Sequence, residues 1–155
     1  MIDKKELLEI IDNKLKYLGY QKKSTSWYFE KEDLIRVVNL QKSNHSNLYY
    51  INLSIFFKEL GKNEKYPKED QCHIRTRLDN NLLNLSKNYD YLFDLENIKI
   101  NEEQYIKEVT ECIEKNIIPQ LERIETKEGI IKIAEKNPVV LNMLPLKVKS
   151  FWGIQ

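Results

Sequence analysis

The sequence predicts an α+β fold: an antiparallel sheet of about four strands, with an N-terminal helix and C-terminal helices packed on one face. Three observations predict it. Apolar residues near the N-terminus recur with the helical period, the middle of the chain alternates with a period of two, and helical spacing returns after residue 100.

Leu7, Leu8, Ile10, Ile11, Leu15 and Leu18 trace one side of a helix over about residues 3–18, with Asp3 suited to cap its start and Gly19 to end it. Ser24, Thr25 and Ser26 break that pattern, and Trp27, Tyr28, Phe29 and Glu30 read as a short strand of aromatic β-formers. Lys31, Glu32 and Asp33 supply a hairpin turn. In a second strand over 34–41, Leu34, Arg36, Val38 and Leu40 share one side, while Ile35, Val37, Asn39 and Gln41 share the other; both sides are partly apolar. The third strand, 48–57, is cleaner: Tyr49, Ile51, Leu53, Ile55 and Phe57 make a continuous apolar stripe opposite Tyr50, Asn52 and Ser54. A charged loop over 58–70, broken by Gly61 and Pro67, leads to a fourth strand at about 72–78.

Residues 79–100 are mixed, and a further short strand or helical turn fits there. Asn101 or the turn before it caps a helix in which Tyr105, Val109, Cys112, Ile113, Ile117, Leu121 and Ile124 form one side. Pro119 falls inside that helix and is expected to kink or divide it, because proline removes a backbone donor and clashes with the preceding turn. Thr126, Lys127 and Glu128 open another helix, and Asn137-Pro138 starts a short one. One domain is expected over 1–155, with a core over about 3–124 and a helical extension over about 125–155.

At 155 residues the chain is long enough for a core without staples, since a domain of this size buries roughly 68–70% of its unfolded surface. A net charge of +1 gives no global field to hold a polyanion, which disfavours nucleic acid as a partner unless a local patch supplies one. Cys72 and Cys112 lack metal-ligand spacing and read as reduced, packed thiols. No apolar run approaches the roughly 20 residues needed to cross a bilayer, and residues 1–6 open directly into an amphipathic pattern rather than a leader. A cytoplasmic location and no membrane partner are the expectations. No cofactor and no metal site are expected: glycine-rich phosphate loops are absent, and two histidines offer little material for zinc.

The fourth strand carries the sharpest functional signal. Alternation sets Cys72, Ile74, Thr76 and Leu78 on one side and His73, Arg75 and Arg77 on the other. With Asn39, Gln41 and Asn52 on neighbouring strands, these bases compose a sheet face of amides and guanidinium forks suited to a peptide, carboxylate or phosphate. A solvated strand face that is polar for no further reason is the plainer account of the same residues. Cys72 and His73, as strand neighbours, point apart and do not make a nucleophilic pair, so no catalytic residue is assigned. His45 sits in a turn rich in Asn and Ser, and Asp90, Asp94 and Glu96 read as loop-solvating acids more readily than as metal ligands. Trp27, Tyr28, Phe29, Tyr49 and Tyr50 would stack bases in an RNA-binding sheet, yet such aromatic strands more often build a core. Near the C-terminus, Phe151 and Trp152 are too apolar to remain in water; they either pack on their own domain or form a partner interface.

Taken together, the segments Leu18-Gly19-Tyr20-Gln21-Lys22-Lys23, Trp27-Tyr28, Val38-Asn39-Leu40-Gln41-Lys42-Ser43, Ile51-Asn52-Leu53 and Cys72-His73-Ile74-Arg75-Thr76-Arg77-Leu78 resemble the bacterial family called domain of unknown function 4304, over about residues 3–120. The resemblance implies a small α+β protein and transfers no catalytic residue. The resulting expectation is a non-enzymatic protein-interaction module, immunity-type neutralisation of a toxin being one form of it, whose partner is a toxin or a second copy of the chain. The alternatives are an enzyme or ligand-binding domain for an anionic small molecule, with Arg75 and Arg77 as clamp and His73 as acid or base, and an RNA-binding module.

Overall fold

The computed structural model describes residues 1–79 and 87–155. Its first helix, α1 (Lys4–Tyr17), begins where the Asp3 carboxylate accepts a hydrogen bond from the Glu6 amide at 2.9 Å. It ends where Gly19 takes a positive φ of 98° and the Tyr20 amide reaches back to the Leu15 carbonyl. Leu7, Ile11 and Leu15 are its buried residues, one side of the helix as the spacing predicts. Asp3→Ala is expected to lower stability by about 1 kcal/mol, the usual worth of an N-cap, read as a shift in the urea midpoint.

Five strands follow in a simple antiparallel meander: β1 (Gln21–Lys23), β2 (Ser26–Lys31), β3 (Leu34–Lys42), β4 (Tyr49–Phe57) and β5 (Ile74–Arg77), ordered β1-β2-β3-β4-β5. β1 is the one strand beyond the expected four. Its three polar residues are all exposed, so it carries no apolar alternation by which to find it. Two-residue hairpins join β1 to β2 and β2 to β3, with Ser24 at φ 57° and Glu32 at φ 48° providing the left-handed turn.

Leu34, Val38 and Leu40 of β3 stand opposite Phe57, Leu53 and Ile51 of β4, all facing the helices and the main core. After the sheet come a short 3-10 turn, Asp90–Phe93, and the helix α2 (Glu102–Cys112), capped by the Asn101 side chain, which accepts from the Gln104 amide at 2.8 Å. α2 runs through a π-helical turn, Ile113–Ile117, into α3 (Ile118–Ile124). The π turn is how the chain accommodates Pro119. Widening the hydrogen-bond ring, with the Ile118 amide bonded to the Ile113 carbonyl, relieves the turn before the proline without breaking the helix. Three further helices close the chain: α4 (Lys127–Lys136), α5 (Val139–Met143) and α6 (Leu146–Trp152).

The far face of the sheet is not as open as the sequence suggests. Tyr28, Ile35, Val37, Phe56 and Cys72 form a second buried cluster there, with Tyr66 packed against it and Pro67 buried nearby. The charged segment 58–72 is therefore a cover as well as a connection, and it explains why β3 is apolar on both sides. The polar side chains of this face gather at the end bearing Asn39, Gln41, Asn52, Arg75 and Arg77, with Ser54 buried beside them and Glu30 exposed at the opposite margin.

Candidate functional site

β5 places the functional candidates, and its phase differs from simple alternation. The register sets Ile74 opposite Ile55, Thr76 opposite Leu53 and Arg77 opposite Asn52, while the His73 amide also bonds to the Ile55 carbonyl at 2.9 Å. Two residues thus oppose one, a step that shifts the pattern upstream. Cys72 is consequently not beside Ile74 on the core side but in the far-face cluster, and His73 leaves the row shared by Arg75 and Arg77. This corrects the alternation read from the sequence.

His73 turns toward the end of β4. Its Nδ1 accepts the Phe57 amide at 2.9 Å and its ring lies 4.8 Å from that of Phe56 and 6.1 Å from that of Phe57. Burial, helped by nearby Lys147 and opposed by the Leu60 carbonyl, holds its pKa below the ordinary histidine range, so it acts as a neutral acceptor that finishes the strand. Arg75 donates both Nε and Nη2 to Glu69, at 3.1 and 2.9 Å. Arg77 makes no ion pair among the described residues; its guanidinium lies 4.0 Å from the centre of the Tyr50 ring.

Beside Arg77 the amides form a chain. Asn52 Nδ2 donates to both Asn39 Oδ1 and Gln41 Oε1 at 2.9 Å, and Asn39 Nδ2 donates to Ser26 Oγ at 2.9 Å. Asn52 is buried and serves the ladder, whereas Gln41 and Arg77 reach solvent. Gln41, Asn52, Arg75, Arg77, Glu69 and Met143 line an open cleft of about 640 Å³. On the helix side of β5 lies a second, apolar groove of about 220 Å³, and Met143 of α5 borders both.

Several contributors were not evident from the sequence. Glu69 and Met143 complete the cleft, and Tyr50 lies under the Arg77 guanidinium. Gln120, fully buried, behaves as a strand surrogate: its Nε2 donates to the Arg77 carbonyl at 3.0 Å and its Oε1 accepts from the Asp79 amide at 3.1 Å. The signal for it was a pair of amides, Asn116 and Gln120, four residues apart on the buried side of an apolar helix.

Other candidates take structural places. Phe151 and Trp152 are half-buried and pack on Phe57, with ring centres 5.4 and 5.5 Å away. Asp94 accepts from Asn97 and Glu96 from the Asn47 amide, closing the loop ends. Trp27, Tyr28 and Tyr49 are buried. Burial pushes the thiols of Cys72 and Cys112 up to about 12, and both cysteines are free. Among the described residues, no group of three His, Cys, Asp or Glu side chains is placed to hold a metal, and no helix is long and apolar enough to cross a membrane.

Architecture and site together define a small α+β protein whose meander sheet is covered by helices on one face and by its own loop on most of the other. The chain belongs to the family described as domain of unknown function (DUF4304), whose model matches residues 11–123. That span takes in the whole sheet, α2 and nearly all of α3, and leaves out α4–α6. No curated protein and no solved structure matches the chain.

Proposed function

We propose that this chain is a non-enzymatic protein-binding module whose contact surface runs along β5 and the C-terminal helices, in the manner of an immunity-type protein that masks a toxin. The observation that carries this reading is a set of apolar side chains left in water beside a polar cleft: Val139, Met143 and Leu146 are 57%, 77% and 81% exposed. Apolar surface rimmed by polar groups is the usual mark of a protein contact site. Gln41, Arg75 and Arg77 supply the polar rim, and Asn39 and Asn52 beneath hold it in place. Phe151 and Trp152, anchored on Phe57, brace α6 behind it.

Co-expression with the product of the neighbouring gene tests the proposal, read both as co-purification and as relief of growth arrest. The wild-type chain is expected to co-purify and to restore growth. Met143→Asp, at an exposed position, is expected to weaken the complex by more than about 1 kcal/mol, as loss of a central contact does, while leaving thermal unfolding unchanged. A complex indifferent to that substitution, or none at all, overturns the reading.

A second reading, binding of an anionic small molecule, is favoured by one observation: Arg77 lacks a carboxylate partner among the described residues. Arg75→Ala/Arg77→Ala would then abolish phosphate or carboxylate binding measured by calorimetry, and unchanged heats would dismiss it. His73, bonded to the Phe57 amide and set apart from both arginines, gives this reading no acid or base at the cleft.

A further inference from the structure

β5 ends the sheet, and among the described residues no strand pairs with its outer side. Thr76 stands opposite Leu53, and the Leu78 amide bonds to the Ile51 carbonyl at 2.8 Å. Even-numbered residues therefore turn their backbone groups toward β4, and the amide and carbonyl of Arg75, with the amide of Arg77, face outward. Gln120 already holds the Arg77 carbonyl, which closes that end of the edge. What remains is a short template for pairing with another extended chain.

An added strand would meet different chemistry on its two sides. Toward the helices lies the apolar groove, lined by Ile124, Ile130, Ile133, Val140 and Leu144. Toward the far face lies the cleft with the Gln41 amide and the Arg77 guanidinium, which makes no ion pair among the described residues. We infer that the partner is engaged through an extended acidic segment added to β5 as a sixth strand, with apolar side chains at alternate positions in the groove and a carboxylate between them meeting Arg77, Arg75 being held by Glu69. This rests on the reading of the surface as a partner-binding one and names the chemistry of the partner. Charge selects this occupant over a second copy of the chain: two β5 strands side by side would bring arginine against arginine, a destabilising cross-strand pairing.

The probe is a fluorescein-labelled, end-capped heptapeptide alternating glutamate with valine and leucine, its binding followed by anisotropy. Saturable binding to the wild-type chain is expected, weakened by about tenfold when alternate peptide amides are methylated, the loss that one or two backbone hydrogen bonds carry. Arg75→Pro and Arg75→Ala remove the same side chain, but only proline removes the outward donor, a change that edge strands tolerate. Arg75→Pro is expected to bind about tenfold more weakly than Arg75→Ala. Should the proline variant unfold, the methylated peptide on the wild-type chain decides alone. No saturable binding, or equal binding of plain and methylated peptides, overturns strand addition. If the partner protein still co-purifies with the wild type and is lost with Met143→Asp, the broader reading survives that failure; if Met143→Asp changes nothing, the broader reading fails as well.

Discussion

Glu125→Ala is expected to lower the unfolding free energy by about 3–5 kcal/mol, because it strands a buried charge. Arg36 sits among the core-facing residues of β3, opposite Ile55, and is only 8% exposed. Its Nε and Nη2 meet the two oxygens of Glu125 at 2.9 and 2.7 Å, Lys31 adds a third contact at 2.9 Å, and the guanidinium lies over the Phe29 ring. Glu125 follows the last residue of α3, so the pair ties the sheet to the end of that helix. Chemical denaturation of the single variant gives the loss. Replacing both Arg36 and Glu125 by methionine is expected to recover most of it, since two apolar residues of similar volume need no partner. A double variant as weak as the single one would show that the ion pair itself, and not the uncompensated charge, sets the effect.

The same pair gives stability an acid limit. Burial pushes the Glu125 carboxyl up, but hydrogen bonds and charge from Arg36 and Lys31 outweigh that and hold it below the ordinary value of 4.5. A carboxylate whose folded-state pKa is lowered contributes stability that is fully present above 4.5 and lost as pH falls through the lowered value. Wild-type stability is thus expected to fall steeply in that acid window and the double-methionine variant less so. Parallel pH profiles would remove this group from the account.

Gly129→Ala is expected to destabilise the chain by about 1–3 kcal/mol, the usual range for a steric insertion, although alanine normally favours a helix over glycine by about 1 kcal/mol. The reason lies between α3 and α4. A Cβ at Gly129 would stand 1.9 Å from the Arg123 carbonyl oxygen and 3.0 Å from Thr126 Oγ1. Thr126 Oγ1 already accepts the Gly129 amide at 3.0 Å as the cap of α4, so the helix cannot shift without opening its own first turn. Faster hydrogen exchange in α4–α6 than in the sheet is the expected signature, with a lower thermal midpoint. A midpoint equal to or above that of the wild type would mean that helix propensity outweighs the contact.

Local rules made most of the architecture readable. Asp3, Asn101 and Thr126 are caps whose chemistry acts within three residues, and the apolar stripe of β4 is continuous enough to name its core side from spacing alone. What escaped depends on partners distant in sequence. Arg36 is correctly placed among Leu34, Val38 and Leu40, but the acid that makes this tolerable lies 89 residues away. The two-against-one step at His73 and Ile74 is a property of pairing with Ile55 and leaves no trace in the composition of β5. For the site, the residue types were legible and their roles were not: Arg75 meets Glu69, His73 finishes a strand, and Arg77 lies against Tyr50 without a carboxylate among the described residues.

The π turn at Ile113–Ile117 has a consequence for how the helix beyond it is aimed. It houses one more residue than an α-helical turn and so cancels the roughly 100° by which the buried face would otherwise step round; deleting a single position from 114–116 would restore regular winding and leave everything downstream on its present bearing. Leu121 and Ile124 would stay in the interior, Gln120 at the sheet margin and Glu125 beside Arg36. A length change of one amino acid is thereby absorbed at this turn, whereas the same deletion within the regular winding of α2 would unlatch the helix from both strands that it serves.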